Sequence, residues 1–60
     1  MTVQHVINTI TSHLQMEIYE EIFCEVTYIG TCFDVPEKFR NCPVICMDVT
    51  KTGALRLYIS

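Results

Sequence analysis

The four cysteines are the side chains of this chain with the widest chemistry, because thiolates bind zinc, form disulfides and act as nucleophiles. They are Cys24, Cys32, Cys42 and Cys46. A four-cysteine zinc site normally shows two close pairs, whereas seven residues separate Cys24 from Cys32. On a strand, Cys42 and Cys46 would lie about 13 Å apart, too far for joint ligation. The spacing favours reduced, buried thiols that pack as small hydrophobes, with a disulfide and a metal site as the alternatives.

The histidines do not form a recognisable catalytic or metal-binding pattern. His5 and His13 stand eight residues apart on a predicted helix. Two imidazoles that bind one metal from one helix face need a four-residue step. A Cys or Ser nucleophile would need one of them as its base, and both are expected to point to solvent.

Carboxylates crowd the first predicted hairpin, where they could in principle serve as a general acid and base. They are Glu17, Glu20, Glu21 and Glu25. A chain of 60 residues offers little to enclose a cleft that would desolvate them, so a solvated acidic edge is expected. The glycines Gly30 and Gly53 stand alone and form no phosphate-binding loop. The sequence therefore predicts a protein that is not an enzyme and needs no cofactor.

Aromatic and guanidinium groups give the candidate site of the chain. Arg56 and Tyr58 lie on one predicted strand, Asp48 on its neighbour, and Tyr28 is expected to join them across the sheet. An aromatic ring and a guanidinium can hold the base and the phosphate of a small nucleotide. Tyr and Arg are equally typical anchors of a protein interface. Both interpretations of these four residues stay open.

The hydrophobic pattern changes its period near residue 15, and this change predicts the elements that carry the site. A helix is predicted at about 2–14, with Thr2 as its N-cap and apolar positions at helical spacing. Those positions are Val3, Val6, Ile7, Ile10 and Leu14. Strands are predicted at about 16–19, 22–29, 44–50 and 54–59, with a turn at Glu20-Glu21 and a helical turn at about 35–40 that Phe39 holds against the sheet. The expected fold is a single α+β domain over 1–60, with one N-terminal helix packed on a three- to four-stranded, mostly antiparallel sheet.

The last two predicted strands form a hairpin, with Gly53 in its turn. One face of it is expected to pack on the helix, namely Ile45, Met47, Val49, Leu55, Leu57 and Ile59. The reverse face is the candidate contact surface, namely Val44, Cys46, Asp48, Ala54, Arg56 and Tyr58.

Charge and hydropathy limit the partners. Seven acidic and four scattered basic residues give a net charge of -3, which disfavours binding to a nucleic-acid polymer. The chain opens on no secretion signal and contains no apolar run of membrane-spanning length, so a soluble intracellular protein is expected. Half of its residues are hydrophobic, more than one helix can cover. Self-association as a homodimer or higher oligomer is predicted.

Short segments along the chain resemble accessory proteins encoded by phages and mobile elements of gut Firmicutes. The segments are Met1-Thr2-Val3, Ile18-Tyr19, Tyr28-Ile29-Gly30, Asp34-Val35-Pro36-Glu37, Asp48-Val49 and Leu55-Arg56-Leu57-Tyr58-Ile59. The resemblance implies an anti-defence role in the host cytoplasm, by stoichiometric binding that blocks a host defence protein or sequesters a nucleotide signal. A structural or assembly module without a ligand, and a cysteine-dependent metal or redox module, are the alternatives.

Overall fold

The computed structural model describes residues 1–60 as an α+β domain, as the sequence predicts. In chain order the elements are α1 (Val3–Asn8), β1 (Gln15–Glu20), β2 (Glu25–Thr31), α2 (Glu37–Arg40), β3 (Val44–Val49) and β4 (Leu55–Ile59). A short 3-10 turn, Cys32–Asp34, lies between β2 and α2.

The four strands form one sheet in the order β2-β1-β4-β3. The hairpins β1–β2 and β3–β4 are antiparallel, and the central strands β1 and β4 run parallel. A parallel pair needs a crossover connection, which the segment between β2 and β3 supplies together with α2. The predicted strand number and mainly antiparallel pairing are therefore confirmed, and the parallel pair makes the sheet mixed.

The core lies between the helices and one face of the central strands. Its largest fully buried side chains on the strands are Met16, Ile18, Leu57 and Ile59. From the helix side they meet Val3, Val6, Ile7, Val35 and Phe39. Phe39 is 4% exposed, so it holds α2 against the sheet as predicted. No helix covers the opposite side of the sheet, which we call the open face.

Helix α1 is shorter than the predicted 2–14. Thr2 is its N-cap, as predicted, and forms a capping box in which His5 Nδ1 accepts from the Thr2 N–H and Thr2 Oγ1 from the His5 N–H. The helix ends at Asn8 because the Thr9 N–H and hydroxyl both donate to the Val6 carbonyl, at 3.1 and 2.7 Å. Competition of this kind is why Thr is a weak helix former.

The β1–β2 hairpin differs from its predicted form. Residues 22–24 belong to a four-residue turn rather than to the predicted strand 22–29, and β2 begins at Glu25. The register shifts between Ile18 and Tyr19, so Val26 pairs with Tyr19 and Tyr28 pairs with Ile18. Because this bulge breaks the strict two-residue alternation, Val26 and Tyr28 lie on opposite faces of the sheet.

The β3–β4 hairpin has the predicted turn and the predicted residue pairs, but the β3 side chains are more exposed than predicted. Gly53 has a φ of 86°, and Met47 and Val49 pair with Leu57 and Leu55. Met47 and Val49 nevertheless stay 47% and 66% exposed. They lie on an edge strand that the helices do not reach.

Two residues predicted for the reverse face of this hairpin lie elsewhere. A register shift between Val44 and Cys46 turns Val44 toward the core, against which it packs. Ala54 is 1% exposed. Val44 and Ala54 therefore do not belong to the candidate contact surface.

Candidate binding surfaces

The open face carries two rows of side chains across the four strands. One row is Val26, Tyr19, Tyr58 and Cys46, in the order β2-β1-β4-β3. The other is Ile29, Glu17, Arg56 and Asp48 in the same strand order. The first row contains no charged residue and the second contains three, so the open face has an aromatic half and a charged half.

An ion pair between the central strands forms the middle of the charged half. The Arg56 guanidinium donates to Glu17 Oε1 through Nε at 2.9 Å and through its terminal nitrogen at 2.8 Å. The side chains are 33% and 15% exposed, so the pair is only partly shielded from water. Hydrogen bonding with Tyr58 and then with Glu17 raises the pKa of Arg56, which keeps it a cation. The guanidinium is thus already engaged by a carboxylate of its own chain.

A tyrosine pair forms the middle of the aromatic half. The rings of Tyr19 and Tyr58 lie 5.1 Å apart between centroids, tilted by 53°. This spacing lies within the range at which aromatic rings attract each other. Both tyrosines are half-buried, so part of each side chain remains exposed to solvent.

Burial raises the pKa of Tyr19, and the nearby Cys24 and Glu21 raise it further. Burial likewise raises the pKa of Tyr28, with Asp34 as the next cause. The folded protein therefore holds these phenolic protons more tightly than the unfolded chain, whose tyrosines titrate at about pH 10. The resulting stabilisation is complete below that pH and is lost as the pH rises through the folded values.

We expect phenolate absorbance of the native protein to appear at a higher pH than in urea, with Tyr19→Phe removing part of the delayed signal. The part of the urea stability that Tyr19→Phe removes should be constant up to about pH 9 and decline above about pH 10. Coincident native and unfolded titration curves would contradict this assignment.

A shallow depression of about 470 Å³ adjoins the charged half. It lies between the Glu17–Arg56 pair and the β3–β4 turn with Lys51, and Asp48 also borders it. Asp48 Oδ1 accepts the Val49 N–H at 2.8 Å. Two carboxylates and two cations line the depression, so it has no excess of positive charge for an anion.

The structure brings together three of the four residues of the predicted site. Arg56, Tyr58 and Asp48 share the open face. Tyr28 does not, because it pairs with Ile18, packs against the core and donates its hydroxyl to the Thr31 carbonyl at 2.8 Å. The prediction that Tyr28 joins the site is therefore wrong.

Glu17 and Tyr19 occupy the place beside Arg56 and Tyr58 that was expected for Tyr28. Their alternation with Met16 and Ile18 already indicates one face of a strand. What the sequence lacks is a signal that β1 and β4 are neighbours. A parallel pairing between distant segments has no local turn that would reveal it.

A second surface lies at the tip of the β1–β2 hairpin. We call residues 20–25 the acidic tip, because Glu20, Glu21 and Glu25 surround Ile22 and Phe23 in sequence. Ile22 and Phe23 are 75% and 62% exposed, although both are large apolar residues. The sequence does not predict this surface, because it places residues 22–24 in a strand.

Backbone hydrogen bonds define the turn of the acidic tip. Phe23 N–H donates to the Glu20 carbonyl at 3.1 Å, and Cys24 N–H to the Glu21 carbonyl at 3.2 Å. Glu21 N–H donates to the Ile59 carbonyl at 2.9 Å, which ties the turn to β4. Cys24 closes the turn with a φ of 53°, a conformation that few non-glycine residues adopt. The exposed side chains of Ile22 and Phe23 thus lie on a hydrogen-bonded turn.

The four thiols are free and lie in different environments. Cys32 is buried and Cys42 is half-buried, whereas Cys24 and Cys46 are exposed. The prediction of buried thiols is therefore correct for Cys32 and wrong for Cys24 and Cys46. No group of three His, Cys, Asp or Glu side chains is arranged to hold a metal ion.

The histidines serve local structure. His5 caps α1, and the ring of His13 meets the Phe33 ring edge-on at 5.1 Å between centroids.

Comparison of this chain with protein-family models, with curated proteins and with solved structures finds no match. None of its helices combines the length and the apolar character needed to cross a lipid bilayer.

Proposed function

We propose that this chain is a phage-type accessory protein that acts in the host cytoplasm by stoichiometric binding to a host defence protein, as a homo-oligomer and without catalysing a reaction. One observation carries the proposal: Ile22 and Phe23 are exposed on a hydrogen-bonded turn and are flanked in sequence by Glu20, Glu21 and Glu25. Burying them in a partner would remove apolar surface from water that nothing in the chain covers.

The acidic tip has the properties of an interface anchor. Large side chains that fill a pocket supply most of the binding energy of a typical interface, and a fixed backbone reduces the entropy lost on binding. Glu20, Glu21 and Glu25 favour a partner whose apolar pocket has a rim of Lys and Arg. They also steer such a partner toward the tip before contact.

The charges favour a protein target over a nucleotide signal. A nucleotide sponge needs cations that are free to meet phosphate oxygens. On the open face Arg56 is bound to Glu17, and Asp48 adds a second negative charge nearby. Removing Glu17 from Arg56 to admit a phosphate would leave a partly buried carboxylate unpaired.

Plating of a defence-sensitive phage tests the proposal. Expression of the wild-type chain in bacteria that carry single, known defence systems is expected to restore plating in one of them. The purified defence protein of that strain should then form a complex with the chain, and its inhibition should saturate at one tip per binding site. Restoration at amounts far below that of the defence protein would instead indicate catalysis. Depletion of the nucleotide signal without a protein complex would contradict the choice of target.

A further inference from the structure

The two central strands carry complementary residues at equal levels of the open face. Glu17 on β1 lies beside Arg56 on β4, and Tyr19 lies beside Tyr58. Because β1 and β4 run parallel, the step from Glu17 to Tyr19 on β1 has the same direction as the step from Arg56 to Tyr58 on β4. If β1 and β4 exchanged places, Arg56 would therefore take the position of Glu17, and Tyr58 would take the position of Tyr19.

A two-fold axis that runs along the strands between β1 and β4 makes this exchange. It places a second copy face to face with the open face, with β1 of each copy opposite β4 of the other. Each residue keeps its position along the strand direction. Glu17 then faces Arg56 of the partner subunit, and Tyr19 faces Tyr58 of the partner subunit. Each contact between two different residues that this symmetry produces occurs twice, as in any isologous interface.

We propose that the occupant of the open face is a second copy of this chain, docked about this two-fold axis. The Glu17–Arg56 pair of one copy meets that of the other head to tail, so four alternating charges form one network. Like charges meet nowhere along the central strands. At the flanks Asp48 lies over Ile29 of the partner subunit, at the rim where water still reaches the carboxylate.

Contacts along the strand edges disfavour the alternative of edge-to-edge pairing. On β3, Val49 N–H donates to Asp48 Oδ1 and Val44 N–H donates to the Met1 carbonyl, both at 2.8 Å. On β2, the Tyr28 hydroxyl donates to the Thr31 carbonyl. These bonds occupy main-chain groups through which another strand would pair. Association through the open face leaves all of them intact.

The size of the open face is sufficient for a small dimer. The molecule is a slab with Cα extents of 29 × 25 × 17 Å, and its thin direction holds one sheet and one helix layer. A standard interface buries about 800 Å² per partner. That is about a fifth of the 3885 Å² that one copy exposes. For a dimer with an interface at the small end of the stable range, we expect dissociation in the micromolar range.

A pair of charge reversals tests the inference. Arg56→Glu leaves the centre of the open face with two carboxylates, and Glu17→Arg leaves it with two guanidinium groups. Each variant alone is expected to be monomeric at a concentration where the wild type is dimeric, on the order of 100 μM, with affinity lowered at least about 100-fold. Mixed together they should form a one-to-one heterodimer, seen by sedimentation and native mass spectrometry.

The mixing step separates a contact between copies from one within a chain. An ion pair confined to one chain cannot be restored by adding the other variant. Met47→Glu is the matched control, because it adds a negative charge on the helix side of the same sheet and should leave the dimer intact. A monomeric Met47→Glu variant, or a mixture in which no heterodimer forms, would overturn the assignment of the face.

A measurement on the unaltered protein keeps the test valid if either reversal unfolds the chain. Cys46 is exposed on the open face, at the level of Tyr58. Its alkylation by a bulky maleimide should slow at least about tenfold as protein concentration rises through the dissociation constant. Equal reactivity at all concentrations, with a single-chain mass in sedimentation, would overturn the proposal. Because the dimer rests only on the homo-oligomeric part of the proposed function, its failure would leave binding through the acidic tip untouched.

Discussion

Replacement of Leu57 by alanine is expected to remove most of the stability of this protein. Leu57 lies on central strand β4, is fully buried and belongs to the core cluster between the sheet and the helices. A Leu→Ala change in such a site costs about 2–5 kcal/mol, through lost burial and the cavity that remains. A domain of 60 residues has about 3–9 kcal/mol in total.

Urea unfolding followed by circular dichroism measures this effect. With an m-value of about 1 kcal/mol per molar urea, the midpoint should fall by about 2 M or more, and the variant should be partly unfolded without urea. Val49→Ala is the matched control, because Val49 is 66% exposed on edge strand β3 and its truncation should change stability by less than about 0.5 kcal/mol. Similar midpoints for the two variants would contradict the placement of the core.

Truncation of Phe23 is expected to weaken target binding at least about 30-fold while leaving the fold unchanged. Phe23 is 62% exposed, so Phe23→Ala removes little that the folded chain itself buries. If Phe23 fills a pocket of the defence protein, its loss should cost at least about 2 kcal/mol, or roughly 30-fold in affinity. Calorimetry with the purified target and the phage plating assay measure the two consequences.

The carboxylates of the acidic tip provide a second readout of the same contact. Glu21→Gln combined with Glu25→Gln should slow association and flatten its dependence on salt, with a smaller effect on dissociation. Val49→Ala again serves as control, since it removes exposed apolar surface from β3 rather than from the tip. If Phe23→Ala bound as tightly as wild type while Val49→Ala lost affinity, the target would contact β3 instead.

Local features of the fold were predictable because neighbouring residues control them. Thr2 caps α1, Gly53 takes the positive φ that the β3–β4 turn requires, and Phe39 packs α2 onto the core. The lower accuracy of the boundaries also has local causes. Thr9 competes for the Val6 carbonyl and ends α1 early, and the turn after Glu20 takes four residues instead of two.

Of the candidate site, the part on the β3–β4 hairpin could be predicted and the rest could not. The hairpin fixes the register of Asp48 against Arg56, because its turn specifies which residues pair. The sequence predicts Tyr28 beside Arg56 and Tyr58, but the bulge in the β1–β2 hairpin pairs Tyr28 with Ile18 on the core side. The sequence places Ile22 and Phe23 in a predicted strand, whereas the structure exposes both in the turn of the acidic tip.

The sequence by itself determined the α+β class, the two hairpins, the absence of a phosphate-binding loop and the apolar excess that favours association. Only the tertiary structure decided that β1 and β4 lie side by side and parallel, which places Glu17 beside Arg56 and Tyr19 beside Tyr58. The reason is physical. Turns and helix caps depend on interactions within a few residues, whereas strand order is chosen by the burial of the whole core, to which every segment contributes at once.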